Sequence, residues 1–403
     1  RSSDLMSSNG NLALANGTGA ASNYSLNSTV INVTKRVLNS SGSKTYDANT
    51  NALAGAITLS NLVSGEALNH SGTATISSAN AGSYTISNLS GISIADGSGG
   101  AASNYTLTGG THNFTVNRRV VGVSGTRLYD ATTNAVASDL STHANLVGSQ
   151  TLNLSGTGTI ASKNVGSNKT VSVGTLALAD GSNGGLAANY TLTGGTHQLT
   201  VNQRPLAATL ARQYDGTTTS AGSTLSSFDA LQGGETLTLS GSGTSASANV
   251  ANGIAMSSNG NLALVNGTGL ASNYSLNSTV INITQRVLNS SGSKTYDANT
   301  NALAGAITLS NLVSGETLNH SGTASISSAN AGSYTISNLS GISIADNAGT
   351  ASNYTLTGGT HNFTVNQRVV GVSGTRLYDA TTNAVASDLS THANLVGTQT
   401  LTL

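Results

Sequence analysis

Cysteine is absent from this chain, which removes disulfides and thiolate metal sites as ways of holding a fold. Charge is scarce as well: 7% of residues are charged, 15 basic against 15 acidic, and the formal net charge is zero. Nucleic acid and anionic membrane both select a basic surface, so neither is an expected partner. No apolar run approaches the ~18 residues of a membrane span, and Arg1 does not open a signal peptide. No membrane insertion is expected in this segment. Proline occurs once, at Pro205, which argues against proline-rich linkers. What remains is Ser, Thr, Asn and Gly together with 37% hydrophobic residues. Low charge with much Gly and Ser would suit disorder, but disordered chains lack the regular apolar alternation found here. The chain is expected to fold and to present an uncharged polar surface.

One stretch recurs five times, from Ala21 to Arg36, Ala102 to Arg119, Ala187 to Arg204, Ala271 to Arg286 and Ala351 to Arg368. Each copy holds Asn-Tyr-(Thr/Ser)-Leu and ends on an arginine, with Asn104-Tyr105, Asn189-Tyr190 and Asn353-Tyr354 in the longer copies. Tyr105 and Leu107, like Phe114 and Val116, are two residues apart, the alternation of a strand with one buried face. The shorter copies lack two residues in the middle, which keeps every later side chain on its face.

A second marker is Tyr-Asp, at Tyr46-Asp47, Tyr129-Asp130, Tyr214-Asp215, Tyr296-Asp297 and Tyr378-Asp379, spaced by 83, 85, 82 and 82 residues. The two markers divide the chain into module A (37–119), module B (120–204), module C (205–286) and a second copy of the A type, here A′ (287–368). Residues 1–36 read as the C-terminal part of a module and 369–403 as the N-terminal part of a B copy. Starting and stopping inside a module is the expectation for an internal piece of a longer protein. A longer period overlies the modules: Met6-Ser-Ser-Asn-Gly-Asn-Leu-Ala-Leu recurs from Met256, and 37–96 recurs almost unchanged at 287–346. Modules of about 80 residues are credible small domains, and stacked repeats are the natural reading.

Within module A, strands are predicted at 37–39, 56–62, 67–77, 83–89, 91–95 and through the 105–116 unit, with turns at Ser64-Gly65, Asn80-Ala81-Gly82 and Gly109-Gly110. A short helical turn after Tyr46-Asp47 is compatible with an Asp cap, although the Asn/Thr-rich run is a poor helix former. The fold class is mostly β: a tandem array of β-rich modules forming an elongated rod. The alternative is a parallel β-helix, which would show self-similarity at roughly 20–30 residues; none is seen inside a module. Arg119-Val120, Arg204-Pro205 and Arg286-Val287 leave no room for flexible linkers, so neighbouring modules should be held in a limited range of orientations.

The Tyr-Asp-(Gly/Ala)-x-Thr marker, the Asn-Tyr-Thr-Leu block and the closing Val-Asn-Gln-Arg resemble the YDG and MBG repeats of large secreted bacterial adhesins. Those adhesins are filamentous-haemagglutinin-like exoproteins, many exported by two-partner secretion. The resemblance covers essentially the whole chain. It implies a β-grasp-like fold, an extracellular or cell-surface location, passage through an outer-membrane transporter, and a stalk or adhesive role. The family usually has Gly after Tyr-Asp; only Asp215-Gly216 keeps it, whereas Asp47-Ala48 and Asp130-Ala131 depart. The family assigns these repeats no catalytic residue, so none is carried over.

The residues themselves offer little chemistry. His112, His197 and His361 share one repeated position, His143 and His392 a second, His70 and His320 a third, without any metal-binding spacing. Asp47 and its equivalents suit an Asx turn better than calcium, because Asp96, Asp180 and Asp346 stand alone in their loops. Ser-Gly-Ser-Lys-Thr at 41–45 lacks the glycines of a phosphate loop and reads as a turn. Sequons at Asn23, Asn104, Asn113, Asn189 and Asn353 are what a chain this rich in Asn, Ser and Thr forms by chance. No catalytic, metal or cofactor site is expected. Two functional readings stand: a non-catalytic stalk acting in adhesion or biofilm cohesion, and a surface that itself binds glycans, exopolysaccharide or further copies of the chain. Exposed tyrosines would favour binding; buried ones would favour the stalk.

Overall fold

The computed structural model describes residues 2–5, 12–26 and 30–403, and the Met6–Asn11 half of the long repeat lies outside them. The chain forms two compact units, 1–202 and 203–403. Among the described residues there is strand and 3-10 turn but no α-helix, and no helix long and apolar enough to cross a membrane. The fold is mostly β, built from repeated modules with curled sheets.

In unit 1, β1 (Ser2–Leu5) pairs antiparallel with β2 (Val30–Val33). Module A follows as β3 (Arg36–Val37), β4 (Asn39–Thr45), β5 (Asn51–Leu53), β6 (Ile57–Ser60), β7 (Leu68–Ile76), β8 (Gly82–Asn88), β9 (Ile92–Asp96), β10 (Tyr105–Thr106) and β11 (His112–Asn117). The sheet runs β5-β7-β8-β11-β4-β6, with β9 pairing off this path to β7. Its first and last long strands, β4 and β11, lie side by side and parallel, from Ser40 opposite His112 to Thr45 opposite Asn117. That parallel pair sits inside the sheet, between β8 and β6, and among the described residues no α-helix packs on it. Module B repeats the arrangement in unit 1, and modules C and A′ repeat it in unit 2. The long strands of each module pair in mixed fashion within that module, which excludes a parallel β-helix.

The strand at 39–45 corrects the turn expected over Ser41–Thr45. Its inward residues carry no apolar alternation to read. Ser40 is 3% exposed and its hydroxyl bonds His112 Nδ1 at 2.9 Å. Gly42 lies beneath the Phe114 ring, where a Cβ would come within 2.7 Å of Cε2. The helical turn after Tyr46-Asp47 does not form, and β5 at Asn51–Leu53 is a strand the pattern missed.

The curl has a sequence cause. The N-terminal half of β7 pairs with β9 and its C-terminal half with β5. Between the halves Gly72 takes φ +100, with Gly91 O only 2.0 Å from where a Cβ would be. Gly156, Gly241 and Gly322 hold the same corner at φ +84, +78 and +102. The recurring Ser-Gly-(Thr/Ser) is therefore a corner that only glycine can turn.

Module C contains one of the shorter closing stretches. There the unit is a single strand, Tyr274–Thr284, with Thr279, Ile281 and Ile283 buried where the longer copies bury the His, Phe or Leu, and Val. The two-residue deletion has preserved the face.

Candidate functional site: the junctions between modules

Tyr-Asp sits where β4 ends. Asp47 Oδ1 accepts the Asn49 amide at 3.2 Å and pairs with Lys44 Nζ at 2.8 Å. Asp130, Asp215, Asp297 and Asp379 make the same two contacts with the amides of Thr132, Thr217, Asn299 and Thr381 and with Arg127, Arg212, Lys294 and Arg376. At Asp297 burial alone would raise the carboxyl, but Lys294 and the Asn299 amide outweigh it and hold the pKa below its ordinary value. The residue after the aspartate is left-handed in every module, φ 62 at Ala48, 64 at Ala131, 76 at Gly216, 61 at Ala298 and 62 at Ala380. The glycine conformation is general even where the glycine is not. In modules A, C and A′ the tyrosine before this turn reaches the next module.

In unit 1 the target is module B. Tyr46 is 3% exposed, and its ring meets Tyr190 edge-on, centroids 5.3 Å apart at 77°. Gln150 Nε2 donates to Tyr46 OH at 3.0 Å, Tyr190 OH donates to Gln150 Oε1 at 2.5 Å, and the Val147 amide donates to Tyr190 OH at 3.1 Å. The connecting strand Arg119–Val120 lies parallel to Tyr190–Thr191. Arg119 closes the joint: Nε and Nη2 donate to O and Oδ1 of Asn145 at 2.7 and 2.8 Å, and Nη1 to Tyr46 O at 3.4 Å. Asn189, fully buried, accepts the Ala81 amide at 2.8 Å and donates to Asn80 Oδ1 at 3.0 Å. Tyr46, Arg119, Asn189 and Tyr190 thus each reach across the A–B joint.

In unit 2 the joint of C with A′ repeats this. Tyr214 and Tyr354 meet at 5.5 Å and 80°. Both hydroxyls donate to Glu316, at 2.6 Å to Oε1 and 2.5 Å to Oε2. Arg286 binds Asn311 and the Tyr214 carbonyl, while Asn353 binds Asn249 and the Val250 amide. Burial, then the Glu316 carboxylate, push the Tyr354 phenol up to about 12. Tyr214 is raised by the same two causes, and Tyr190, lacking a carboxylate, mainly by burial. The core is continuous across the joint: Leu210, Tyr214, Leu239 and Ile281 of C pack in one cluster with Leu288, Leu318 and Tyr354 of A′. At the following joint in unit 2, Gln399 Nε2 donates to Tyr296 OH at 2.6 Å and Arg368 reaches Tyr296 O.

Other predicted positions fall elsewhere. Tyr105 is 2% exposed and bonds Glu66, whereas Asn104 is exposed. Tyr129 is buried, and Tyr378, in the last partial module, is 95% exposed. Asn189 and Asn353 are too buried to be glycan acceptors in the folded chain. His112 and His361 are buried between a serine hydroxyl and a strand-end carbonyl. His70 and His320 each meet two carbonyls, and burial lowers His143. Asp96, Asp180 and Asp346 each accept the amide that opens the Asn-Tyr loop, from Ala102, Ala187 and Ala351. Among the described residues no three His, Asp or Glu are grouped to hold a metal.

Sequence reading missed the residue at the centre of the joint, although the signal was there. The chain has three glutamates, Glu66, Glu235 and Glu316, and all occupy this one position, with Gln150 and Gln399 in the B type. In so uncharged a chain, a carboxylate confined to one repeat position marks a structural hub.

Fold and joints together define a tandem array of β modules whose repeated side chains bind A to B and C to A′. Four matches to the YDG domain model span residues 32–112, 115–201, 196–281 and 282–362. The chain belongs to the YDG domain family, as four domains in tandem. The 32–112 match stops at the first residue of β11, so the strand that completes the sheet extends beyond it. Comparison with curated proteins gives no significant match.

Proposed function

We propose that this segment is a non-catalytic stalk of a bacterial cell-surface or secreted adhesin, in which the YDG domains space and orient an adhesive region elsewhere. The observation that carries this reading is the burial of the repeated markers. Tyr46, Tyr190, Tyr214 and Tyr354, with Asn189 and Asn353, are at most 4% exposed and are spent on neighbouring modules. Side chains so engaged are not available to a ligand, while a joint with a continuous core, as between C and A′, restrains the orientation of the two modules it joins, which is what a spacer needs. The reading includes export through an outer-membrane transporter, an extracellular location, and a part in adhesion or biofilm cohesion.

The test is binding of the purified chain to intact cells and to extracted matrix polysaccharide, with its hydrodynamic radius measured in the same buffer. The stalk reading expects an elongated monomer and no saturable binding. Saturable binding that strengthens with module number would move the function to the repeats themselves, as weak glycan or self-contacts summed by avidity.

A further inference from the structure

The chain enters and leaves each of modules A, B, C and A′ through the same ladder. In module A it enters at the Asn39 end of β4 and leaves at the Asn117 end of β11, and these strands are parallel neighbours in register over six residue pairs. The entry and exit points are thus at opposite ends of one ladder. The Tyr46 amide seals its far end on Asn117 O at 2.9 Å. Phe114 and Val116, each 1% exposed, keep water from its inner face. The arrangement recurs from Val123 opposite His197 to Leu128 opposite Asn202, and from Ser290 opposite His361 to Thr295 opposite Asn366. Module C extends it to ten pairs, Arg204 opposite Tyr274 to Gln213 opposite Thr284, with one bulge.

We propose that each YDG module is a tension-bearing clamp. Force passed along the chain pulls the first and last strands in opposite directions along their shared axis. The evenly spaced bonds of a parallel ladder then carry the load together instead of opening one at a time. Module C, whose ladder is longest, yields last; A and A′, where the Thr108–Gly110 turn and its copy interrupt the ladder, yield earlier. This rests on the stalk reading for its biological meaning, though its physics does not depend on it.

The absence of native cysteine allows a direct test in the full chain, with pulling handles at introduced thiols. Lys35, Ser103 and Arg118 are all exposed. Lys35→Cys with Arg118→Cys loads the ladder in shear, whereas Lys35→Cys with Ser103→Cys pulls from the end where Arg36 faces Tyr105 and unzips it. Circular dichroism of both variants confirms that the sheet is formed before pulling. The shear pair should rupture at a force about threefold or more above the unzipping pair, because the bonds fail together. That rupture should release about 290 Å of chain for the 83 residues between the handles. Equal rupture forces in the two geometries would overturn the clamp and leave the stalk standing. Saturable binding of the repeats to cells would remove the stalk without changing either force.

Discussion

The A–B joint of unit 1 and the C–A′ joint of unit 2 share one geometry and differ in one atom type. Ring separations are 5.3 and 5.5 Å, interplanar angles 77° and 80°. Gln150 offers an amide, which donates to Tyr46 and accepts from Tyr190. Glu316 is an acceptor only, so both of its tyrosines must donate. The first tyrosine therefore mainly accepts in the A–B joint, at 3.0 Å from Gln150 Nε2 against a longer 3.4 Å donation to Oε1, and donates in the C–A′ joint. A phenol can donate or accept, and that freedom lets the same joint work with or without a charge. The charge then sets strength and pH response, while packing sets orientation.

The largest change should come from removing a ring. Tyr214→Ala empties a site shared by two modules and is expected to cost about 3–5 kcal/mol. Urea unfolding of the full chain should show the transition of modules C and A′ at lower denaturant, with that of modules A and B unmoved. Removing only the hydroxyl separates the joints. Tyr214→Phe loses a bond to a carboxylate, about 1.5–3 kcal/mol, whereas Tyr46→Phe loses a neutral one, about 0.5–1.5 kcal/mol. Equal losses would mean that the carboxylate contributes nothing beyond the amide.

Alkaline pH should separate the joints next. Tyr354 is raised to about 12, so above pH 10 the folded state holds a proton that the unfolded chain has released. The stability it contributes is complete below about pH 10 and is lost as pH rises through 12, about 2–3 kcal/mol in all. Phenolate absorbance should report this late-titrating tyrosine, and Glu316→Gln should shift it to lower pH. The same substitution should destabilise the C–A′ joint by about 1 kcal/mol, and Gln150→Glu should strengthen the A–B joint by no more than that.

How much of this could be read in advance depended on what the strands bury. β11 was legible because Phe114 and Val116 face inward at period two. Its partner β4 was not, because it turns Ser40 and Gly42 inward, and a serine bonded to a histidine looks polar until the histidine is beside it. Tyr-Asp and Asn-Tyr stood out as repeats, but their purpose did not. Tyr46 meets Tyr190 across 144 positions of sequence, and a register between modules leaves no local period. The Ser-Gly corners recur in every module and were readable in principle; the 67–77 apolar pattern simply ran through Gly72 without showing the bend.

The smallest expected effect concerns the residue after Tyr-Asp. Ala48 holds φ 62, where an L-residue costs about 1–2 kcal/mol, against about 0.5–1 kcal/mol of entropy lost by fixing a glycine. Ala48→Gly should therefore stabilise module A by about 0.5 kcal/mol, a small rise in melting temperature. The reverse change, Gly216→Ala, is not its mirror image. In module C a Cβ at 216 would come 2.9 Å from Val313 Cγ1 of module A′, so it adds a clash at the joint to the backbone strain. It should cost about 1–2 kcal/mol, more than the strain-minus-entropy difference at Ala48 alone. Val313→Ala should recover the clash part of that loss and leave the backbone part. If Gly216→Ala costs no more than Ala48→Gly gains, the glycine of module C serves only its own turn, and the joint tolerates a methyl group there.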